Sequence, residues 1–372
     1  MNIKRKLLIT VRDPASANDI NELLKNLLKD KRFIVKVLAQ SPALKILKKE
    51  FIQNKLENMQ ILEFKENEHT RSSIEEIFDN FQPDILLTGI SGPDSYGVDE
   101  LALNISSNYK NIKTFSIQSY WGDLNKSCGV LADTIFVLDN FAKEITLQRD
   151  SSLNVVVTGC LRSDFYTNID IDKERDLFKS NFPSNKNKVV IGLFGQPLFD
   201  YYWYQETIEI FVKCLKSINY DIYLFYKPHP KETEVSIEWV SKIISKNIKG
   251  SVIKEIDTYS LLAGSDLAVS LFSTVGFDLQ NILFRSRSAF SIPMYLFFHK
   301  DCREWYKKYC RLSKIPLSGN NMSILVDKKS KLKSLLLDGI TQENKNICLD
   351  ALINSSNFSD KFSSSIIISE MV

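Results

Sequence analysis

Short apolar runs alternate with longer amphipathic stretches along most of the chain. The amphipathic stretches repeat their apolar positions every three or four residues; residues 17–30, for example, place five aliphatic side chains on one helical face. Strands that alternate with helices predict a parallel sheet with helices on both faces. The apolar runs have the length of buried strands, and in the first half of the chain they are residues 6–11, 33–39, 59–64, 84–90, 113–118, 134–139 and 153–159.

The second half of the chain repeats this scheme. The fold class is therefore α/β, with two Rossmann-like domains at residues 1–160 and 161–350. Residues 180–188 carry Pro, Ser and Asn and are expected to be a linker or surface loop. The Ser-rich residues 351–372 are expected to be a polar tail that is partly disordered, with docking as an edge element as the alternative. The predicted strands of this half are residues 188–195, 220–228, 251–256, 267–273 and 287–293, and its predicted helices are 204–218, 236–247, 258–265 and 277–284.

The bulk properties of the chain exclude several classes of protein. Its 372 residues carry a net charge of +3, too small for charge-driven binding of nucleic acid. The six cysteines are scattered without a CxxC pair, so neither zinc nor thioredoxin-type chemistry is indicated. No apolar run approaches the roughly 20 residues of a membrane span, and the basic start is too short for a signal peptide. A cytoplasmic protein is predicted.

A histidine follows one predicted strand in the sequence Lys227-Pro228-His229-Pro230. Ligands of open parallel sheets bind beyond the carboxyl ends of the strands, so this loop is a candidate site. The two prolines restrict the backbone on either side of the histidine, which fixes the direction of the imidazole. His229 and Lys227 are therefore candidates to bind a phosphate, although a His-Pro turn of purely structural role has the same sequence.

Two further loops of the second half have the composition of anion sites. Ser273 and Thr274 end a buried strand and precede Gly276 and a helix, an arrangement in which hydroxyls and backbone N–H groups bind a phosphate. An ordinary Ser/Thr helix cap is the alternative. Gly195 and Gln196 form a tight turn after the first strand of this half and are candidates to lie against a nucleotide.

Carboxylates follow strands in the first half of the chain. Asp94 and Glu100 lie in or after a glycine-rich loop, and Asp13 follows the first strand. Each is a candidate general base that would face the second domain across a cleft. Helix N-termini also attract acidic residues for electrostatic reasons, and Asp19 in particular is expected to be a capping residue.

Two of these motifs resemble those of GT-B glycosyltransferases. The His-Pro pair at residue 229 and the Ser-Thr pair at residue 273 are similar, in order and spacing, to motifs of bacterial sialyltransferases, polysialyltransferases and capsule Kdo-type transferases. That resemblance implies a GT-B fold in which two Rossmann-like domains face a cleft, the first binding the acceptor and the second the nucleotide-sugar donor.

A third motif of these families, an acidic pair followed by Gly, is only partly matched. Asp99 and Glu100 form the pair, but Leu101 stands where the family has Gly, so Asp13 or Asp94 can take the role of base instead. Residues 155–166 also resemble the TGxPRxD stretch of capsule-type transferases, with Leu161 in place of Pro.

The resemblance implies a single inverting displacement from a CMP-activated sialic or other ulosonic acid. An acidic residue would take the proton of the acceptor hydroxyl, and the nucleotide phosphate would leave. His229 would donate a hydrogen bond or a proton to that phosphate, and Ser273 and Thr274 would hold it. No metal or other cofactor is expected, and the partners would be a nucleotide-sugar donor and a glycan or lipid-linked acceptor of capsule or lipopolysaccharide synthesis.

Three other functions remain open from the sequence. A CDP-polyol phosphotransferase and a UDP-sugar 2-epimerase share the layout of two Rossmann-like domains, and a non-catalytic nucleotide-sugar-binding subunit of an assembly complex would share it too. Residues 300–314 mix Lys and Arg with aromatic residues. They are expected to form an amphipathic helix packed on the second domain, and peripheral contact with the inner face of the membrane is the alternative.

Overall fold

The structure is a computed structural model that describes residues 4–51, 59–64, 71–92, 95–182 and 188–372. The chain divides into two compact units. Unit 1 comprises Met1–Phe165 together with Ser359–Val372, and unit 2 comprises Tyr166–Phe358. Unit 1 is therefore built from two separate segments of the chain.

The described part of unit 1 contains a seven-stranded parallel sheet in the order β3-β2-β1-β4-β5-β6-β7. Its central strand, Ile85–Thr88, is buried along its whole length, as is typical of a parallel sheet that helices cover on both faces. The strands are β1 (Arg5–Val11), β2 (Phe33–Gln40), β3 (Met59–Phe64), β4 (Ile85–Thr88), β5 (Lys113–Ile117), β6 (Thr134–Val137) and β7 (Asn154–Val157). The helices are α1 (Pro14–Leu27), α2 (Ala43–Phe51), α3 (Arg71–Phe81), α4 (Val98–Ser106) and α5 (Asn140–Arg149), followed by α6 (Arg162–Tyr166) at the boundary.

The described part of unit 2 contains a six-stranded parallel sheet in the order β10-β9-β8-β11-β12-β13. The strands are β8 (Val189–Phe194), β9 (Ile222–Lys227), β10 (Gly250–Val252), β11 (Leu267–Ser270), β12 (Pro293–Leu296) and β13 (Ile324–Val326). The helices are α7 (Ile171–Asn181), α8 (Tyr202–Lys216), α9 (Glu234–Asn247), α10 (Thr258–Gly264), α11 (Val275–Ser286), α12 (Lys300–Tyr309), α13 (Leu332–Gly339) and α14 (Gln342–Ile353). None of the helices in the described ranges is long and apolar enough to cross a bilayer.

One predicted strand is wrong. Residues 287–293 connect α11 to β12, which begins where the predicted strand was expected to end. Arg287 ends α11 in the left-handed conformation, with φ of 54°. Phe290 and Ile292 are buried without lying in a strand, which explains the apolar pattern. Pro293 suits the first position of β12 because it has no N–H to donate to a ladder.

The prediction that the end of the chain is disordered is also wrong. The end of the chain forms a further helix, α15 (Ser363–Met371), which belongs to unit 1. Ile367 and Met371 are fully buried in the core of that unit, beside the aliphatic residues of α1 and β1. A serine-rich composition indicates disorder only when too little apolar surface is available for burial, and this short helix has enough.

The start of α15 is capped by a side chain from a distant part of the sequence. Asp164 accepts the backbone N–H groups of Ser363 and Ser364 at 2.8 and 2.9 Å. The Ser363 hydroxyl donates to the carbonyl oxygen of Cys160 at 3.1 Å. Gly159 has φ of +89°, and a Cβ there would meet the Ser363 hydroxyl at 2.7 Å. The TGxPRxD-like stretch is therefore, in this chain, the docking point of α15.

Replacement of Asp164 by Ala is expected to loosen α15 locally. Two N–H groups at a buried helix end would lose their acceptor, which costs about 1–2 kcal/mol. Amide hydrogen exchange in residues 363–371, followed by mass spectrometry, should become about 5- to 30-fold faster. Asp176→Ala is the matched control because its side chain is 81% exposed. Equal exchange rates in the two variants would contradict the capping role.

Candidate functional site

Three loops predicted to carry the site lie at the same edge of the sheet in unit 2. Strands β9, β8 and β11 are consecutive neighbours and parallel, so the loops that follow them emerge side by side. These loops contain Gln196, His229 and the Ser273-Thr274 pair. Their convergence follows from the strand order.

A half-buried carboxylate that the sequence analysis did not identify holds the loop after β9 and packs against the loop after β8. Glu232 accepts hydrogen bonds from the Tyr226 hydroxyl at 2.5 Å, the His229 backbone N–H at 2.7 Å and the Ser236 hydroxyl at 2.9 Å. A Cβ on Gly195, in the loop after β8, would collide with the Glu232 carboxylate and the Tyr226 hydroxyl. Glycine is therefore required at residue 195 by packing.

The hydrogen-bond chain continues from Tyr226 to the third loop. The Gln196 backbone N–H donates to the hydroxyl of Tyr204 at 3.1 Å, and this hydroxyl lies 3.4 Å from that of Tyr226. The Gln196 side-chain oxygen accepts the backbone N–H of Phe272 at 3.1 Å. Gln196 thus ties the loop after β8 to the loop after β11, and the network fixes all three loops relative to one another.

Burial determines the protonation of this network. It raises the pKa of Tyr226 and of Tyr204, so both phenols remain protonated donors at neutral pH. Burial also raises the pKa of Glu232, an effect that its three hydrogen bonds oppose. The carboxylate is the acceptor on which the three donors converge.

The His229 ring presents a hydrogen-bond donor. Its Nδ1 accepts the backbone N–H of Lys231 at 3.0 Å, so the neutral ring carries its proton on Nε2. Burial, and secondarily the charge of Lys231, lowers the pKa of His229. The imidazole is therefore neutral at pH 7 and offers an Nε2–H group, which suits a phosphate oxygen or a similar acceptor.

Lys227 serves a different purpose from the one expected. Its ammonium group donates to the carbonyl oxygens of Lys254 and Ile256 at 2.5 and 2.7 Å, which tethers the segment after β10 to the end of β9. Burial is the main influence on the pKa of Lys227, which it lowers. Lys227 therefore stabilises the backbone beside the His229 loop through these two hydrogen bonds.

The Ser273-Thr274 pair lies at the beginning of α11, as expected. The Ser273 hydroxyl accepts the backbone N–H of Val275 at 3.3 Å, and Thr274 is the half-buried N-cap residue. Gly276 is required by packing, because a Cβ there would collide with the buried ring of Tyr295. The expected reason for this glycine, close approach of a phosphate, is thus replaced by a contact within the protein.

The candidate bases of unit 1 differ in their accessibility. Asp13 precedes α1, has a side chain that is 35% exposed and approaches Arg12 at 3.4 Å. Glu100 is buried, and its carboxylate accepts the backbone N–H of Gly97 at 2.8 Å and the side-chain amide of Asn125 at 2.9 Å. Asp94 lies outside the described residues.

Two other carboxylates of unit 1 are fully buried. Asp99 accepts the Thr10 hydroxyl at 2.7 Å and the Arg12 backbone N–H at 3.1 Å. Burial and, next, the neighbouring charge of Glu100 raise the pKa of Asp99 to about 7. Asp19, expected to cap a helix, instead lies inside α1 and binds Arg162 at 3.0 Å. An interior charge of this kind requires a partner.

No metal cluster is present within the described ranges, since no three His, Cys, Asp or Glu side chains are grouped to hold a metal ion.

Solved structures resemble this chain over nearly its whole length. A putative UDP-N-acetylglucosamine 2-epimerase from Listeria monocytogenes has a TM-score of 0.69 at 15% identity, covering 99% of this chain and 96% of that one. A UDP-GlcNAc 2-epimerase from Neisseria meningitidis, bound to UDP-GlcNAc, has a TM-score of 0.64 at 15% identity, covering 98% and 99%. A glycosyltransferase from Rickettsia africae has a TM-score of 0.63 at 14% identity, covering 99% and 97%.

The likeness confirms the predicted fold class, an α/β protein of two Rossmann-like units of the GT-B type. No protein-family model matches the chain, and no curated protein matches it by sequence. At these identities the shared feature is the fold, and the chemistry depends on the residues described above.

Replacement of Gly195 by Ala is expected to destabilise unit 2 by about 1–3 kcal/mol, because the added methyl group would displace Glu232 or Tyr226. Urea unfolding followed by tryptophan fluorescence in a Trp121→Phe background measures this unit, because Trp203, Trp239 and Trp305 all lie in it. Gly319→Ala is the matched control, since a Cβ there meets nothing within 4 Å. A Gly195 variant as stable as this control would refute the close packing.

The raised pKa of Asp99 predicts a pH dependence of stability. Between about pH 4 and pH 7 the folded protein keeps the proton that the unfolded chain has lost, so wild-type stability falls as the pH rises through this window. Asp99→Asn cannot titrate and should gain stability relative to wild type from pH 5 to pH 8, on the order of 2–4 kcal/mol.

Urea midpoints at pH 5 and pH 8 measure this difference. Glu76→Gln serves as the control because that side chain is exposed on α3. If the difference between Asp99→Asn and wild type did not change with pH, the raised pKa would be wrong.

Proposed function

We propose that this protein is an enzyme that breaks the bond between a sugar and the phosphate of a nucleotide sugar, and that the phosphate binds at the carboxyl edge of the sheet in unit 2. The observation that carries the proposal is the His229 ring. Its Nδ1 is already occupied, so Nε2–H is oriented as a donor at the end of β9.

Such a reaction needs donors that are in place before charge develops. The departing phosphate gathers negative charge, and a fixed donor stabilises it without reorganisation. Glu232 holds the backbone of His229, and Gln196 holds the neighbouring loop. The Ser273-Thr274 pair at the beginning of α11 would supply further hydrogen bonds, aided by the helix dipole.

The nucleotide is proposed to be a uridine diphosphate. Structures with this fold include epimerases named for UDP-GlcNAc, one of them bound to it. This similarity supports a UDP-sugar more than the CMP-activated ulosonic acid that the sequence motifs favour. The CMP donor remains a prediction, and the nucleotide panel described below tests it.

Two reactions involve cleavage of this bond. A UDP-sugar 2-epimerase is supported by the epimerases of similar fold. Transfer to a glycan is supported by the glycosyltransferase of similar fold. In a transferase Asp13 or Asp94 would be the general base in preference to Glu100, which is buried and hydrogen-bonded. A lipid-linked acceptor and a place in capsule or lipopolysaccharide synthesis belong to the same proposal.

A thermal-shift panel in EDTA tests the nucleotide site. UDP is expected to raise the melting temperature of the wild type more than CMP, CDP or GDP, since a ligand of the folded state stabilises it by mass action. His229→Ala should lose most of this shift. His229→Gln should retain part of it, because the Gln amide can donate from nearly the position of Nε2.

The reaction is then followed by NMR with a UDP-N-acetylhexosamine and no acceptor. Conversion to the 2-epimer identifies an epimerase, whereas a transferase leaves the sugar unchanged or hydrolyses it slowly. Stabilisation by CMP alone would restore the ulosonic acid donor. If no nucleotide stabilised the protein, the proposed function would fail. Stabilisation by a nucleotide without any turnover, with or without a glycan acceptor, would make a non-catalytic nucleotide-sugar-binding subunit the better interpretation.

A further inference from the structure

Three aromatic rings of unit 2, those of Tyr201, Trp305 and Tyr309, are linked through Trp305. Together with Tyr202, whose ring lies 5.6 Å from that of His299 at the start of α12, they are here called the aromatic shelf. The two tyrosines at 201 and 202 lie at the beginning of α8, and the other two residues lie one turn apart on α12. The Trp305 ring is 5.8 Å from that of Tyr201 and 4.8 Å from that of Tyr309. Tyr202 is 61% exposed and Tyr309 is 55% exposed.

The aromatic shelf is continuous with the loops assigned to the phosphate. Trp305 stacks on Phe272, with ring centroids 5.6 Å apart and an angle of 24° between the planes. Phe272 lies in the loop after β11, and its backbone N–H is the group held by Gln196. A saccharide held on the shelf would therefore be close to a phosphate bound by these loops, where an acceptor must lie.

The rim of the aromatic shelf carries charges of both signs. Glu206 approaches His299 at 3.5 Å, and Lys300 approaches Glu304 at the same distance. The Lys308 ammonium lies 5.0 Å from the Tyr309 ring centroid. An anionic bilayer selects surfaces of one sign, whereas sugar hydroxyls bind donors and acceptors alike. The rim therefore offers both donors and acceptors to a saccharide. Residues 300–314 as a whole carry six Lys or Arg against two acidic residues, so an anionic bilayer is the competing occupant.

One polar group within the shelf is unpaired. The indole N–H of Trp305 is buried and has no hydrogen-bond partner among the described side chains and backbone. Buried donors are normally paired. A sugar hydroxyl is an acceptor of the kind that this N–H lacks.

We propose that the aromatic shelf binds a pyranose saccharide, the glycan to which the sugar is transferred, so that unit 2 contributes to acceptor binding, which the resemblance assigns to the first domain. Aromatic faces pack on the apolar faces of pyranose rings while the rim hydrogen-bonds their hydroxyls. This inference rests on the proposed function and narrows it, because an epimerase acting on a free nucleotide sugar has no need of a glycan subsite.

Saturation-transfer NMR tests the shelf with four probes: lactose, maltotriose, chitotriose and sialyl-lactose. At least one probe is expected to bind the wild type. Loss of one stacking ring should raise the Kd of that saccharide by about 3- to 10-fold in Tyr202→Ser and in Tyr309→Ser. Tyr220→Ser should bind like the wild type; it is the matched control, since Tyr220 is 54% exposed and precedes β9 at the opposite edge of the sheet.

The outcomes separate the shelf from the nucleotide site. UDP-induced stabilisation is measured on the same samples. Shelf-dependent saccharide binding without any UDP effect would overturn the proposed function but leave the saccharide site in place. UDP stabilisation without saccharide binding, or with equal binding in all variants, would overturn the shelf. Loss of binding to phosphatidylglycerol vesicles in the tyrosine variants, with no saccharide bound, would instead assign the surface to a membrane.

Discussion

The arrangement of the candidate site depends on one half-buried carboxylate. Glu232 has three donors around it, and two of them belong to the strand and the loop that carry His229. A half-buried carboxylate lowers the stability of the fold unless its oxygens accept hydrogen bonds. The same bonds that satisfy Glu232 also fix the backbone of the His-Pro turn. Restriction by two prolines makes the turn stiff, but the carboxylate determines where the turn lies.

Parallel-sheet architecture could be predicted because its signal is local and repeated. Each strand of unit 1 was anticipated to within a few residues, since apolar runs between amphipathic helices have few other interpretations. The strand order then brought Gln196, His229 and Ser273 to the same edge. The short strand β13 was missed, because three residues carry too little pattern to be distinguished from a loop.

Roles of individual side chains were harder to predict, because they depend on contacts between distant residues. Glu232 follows His229 of the His-Pro turn by three residues, yet its partner Tyr226 is recognisable only once the strand is folded. Lys227 was expected at a phosphate and binds two carbonyl oxygens. Gly276 was expected to allow the close approach of a phosphate, but the space left by its missing side chain is filled by the ring of Tyr295. The sequence signal that could have identified Glu232 is its spacing of three residues from His229.

The return of α15 to unit 1 has a consequence for synthesis on the ribosome. Unit 2 lies wholly between the two segments of unit 1, so all of its strands leave the exit tunnel before α15 does. Unit 2 can therefore complete its fold first, while the nascent first unit still exposes the groove that Ile367 and Met371 will fill. During that interval the unfinished surface is a place where a chaperone, or a premature contact with another chain, would act.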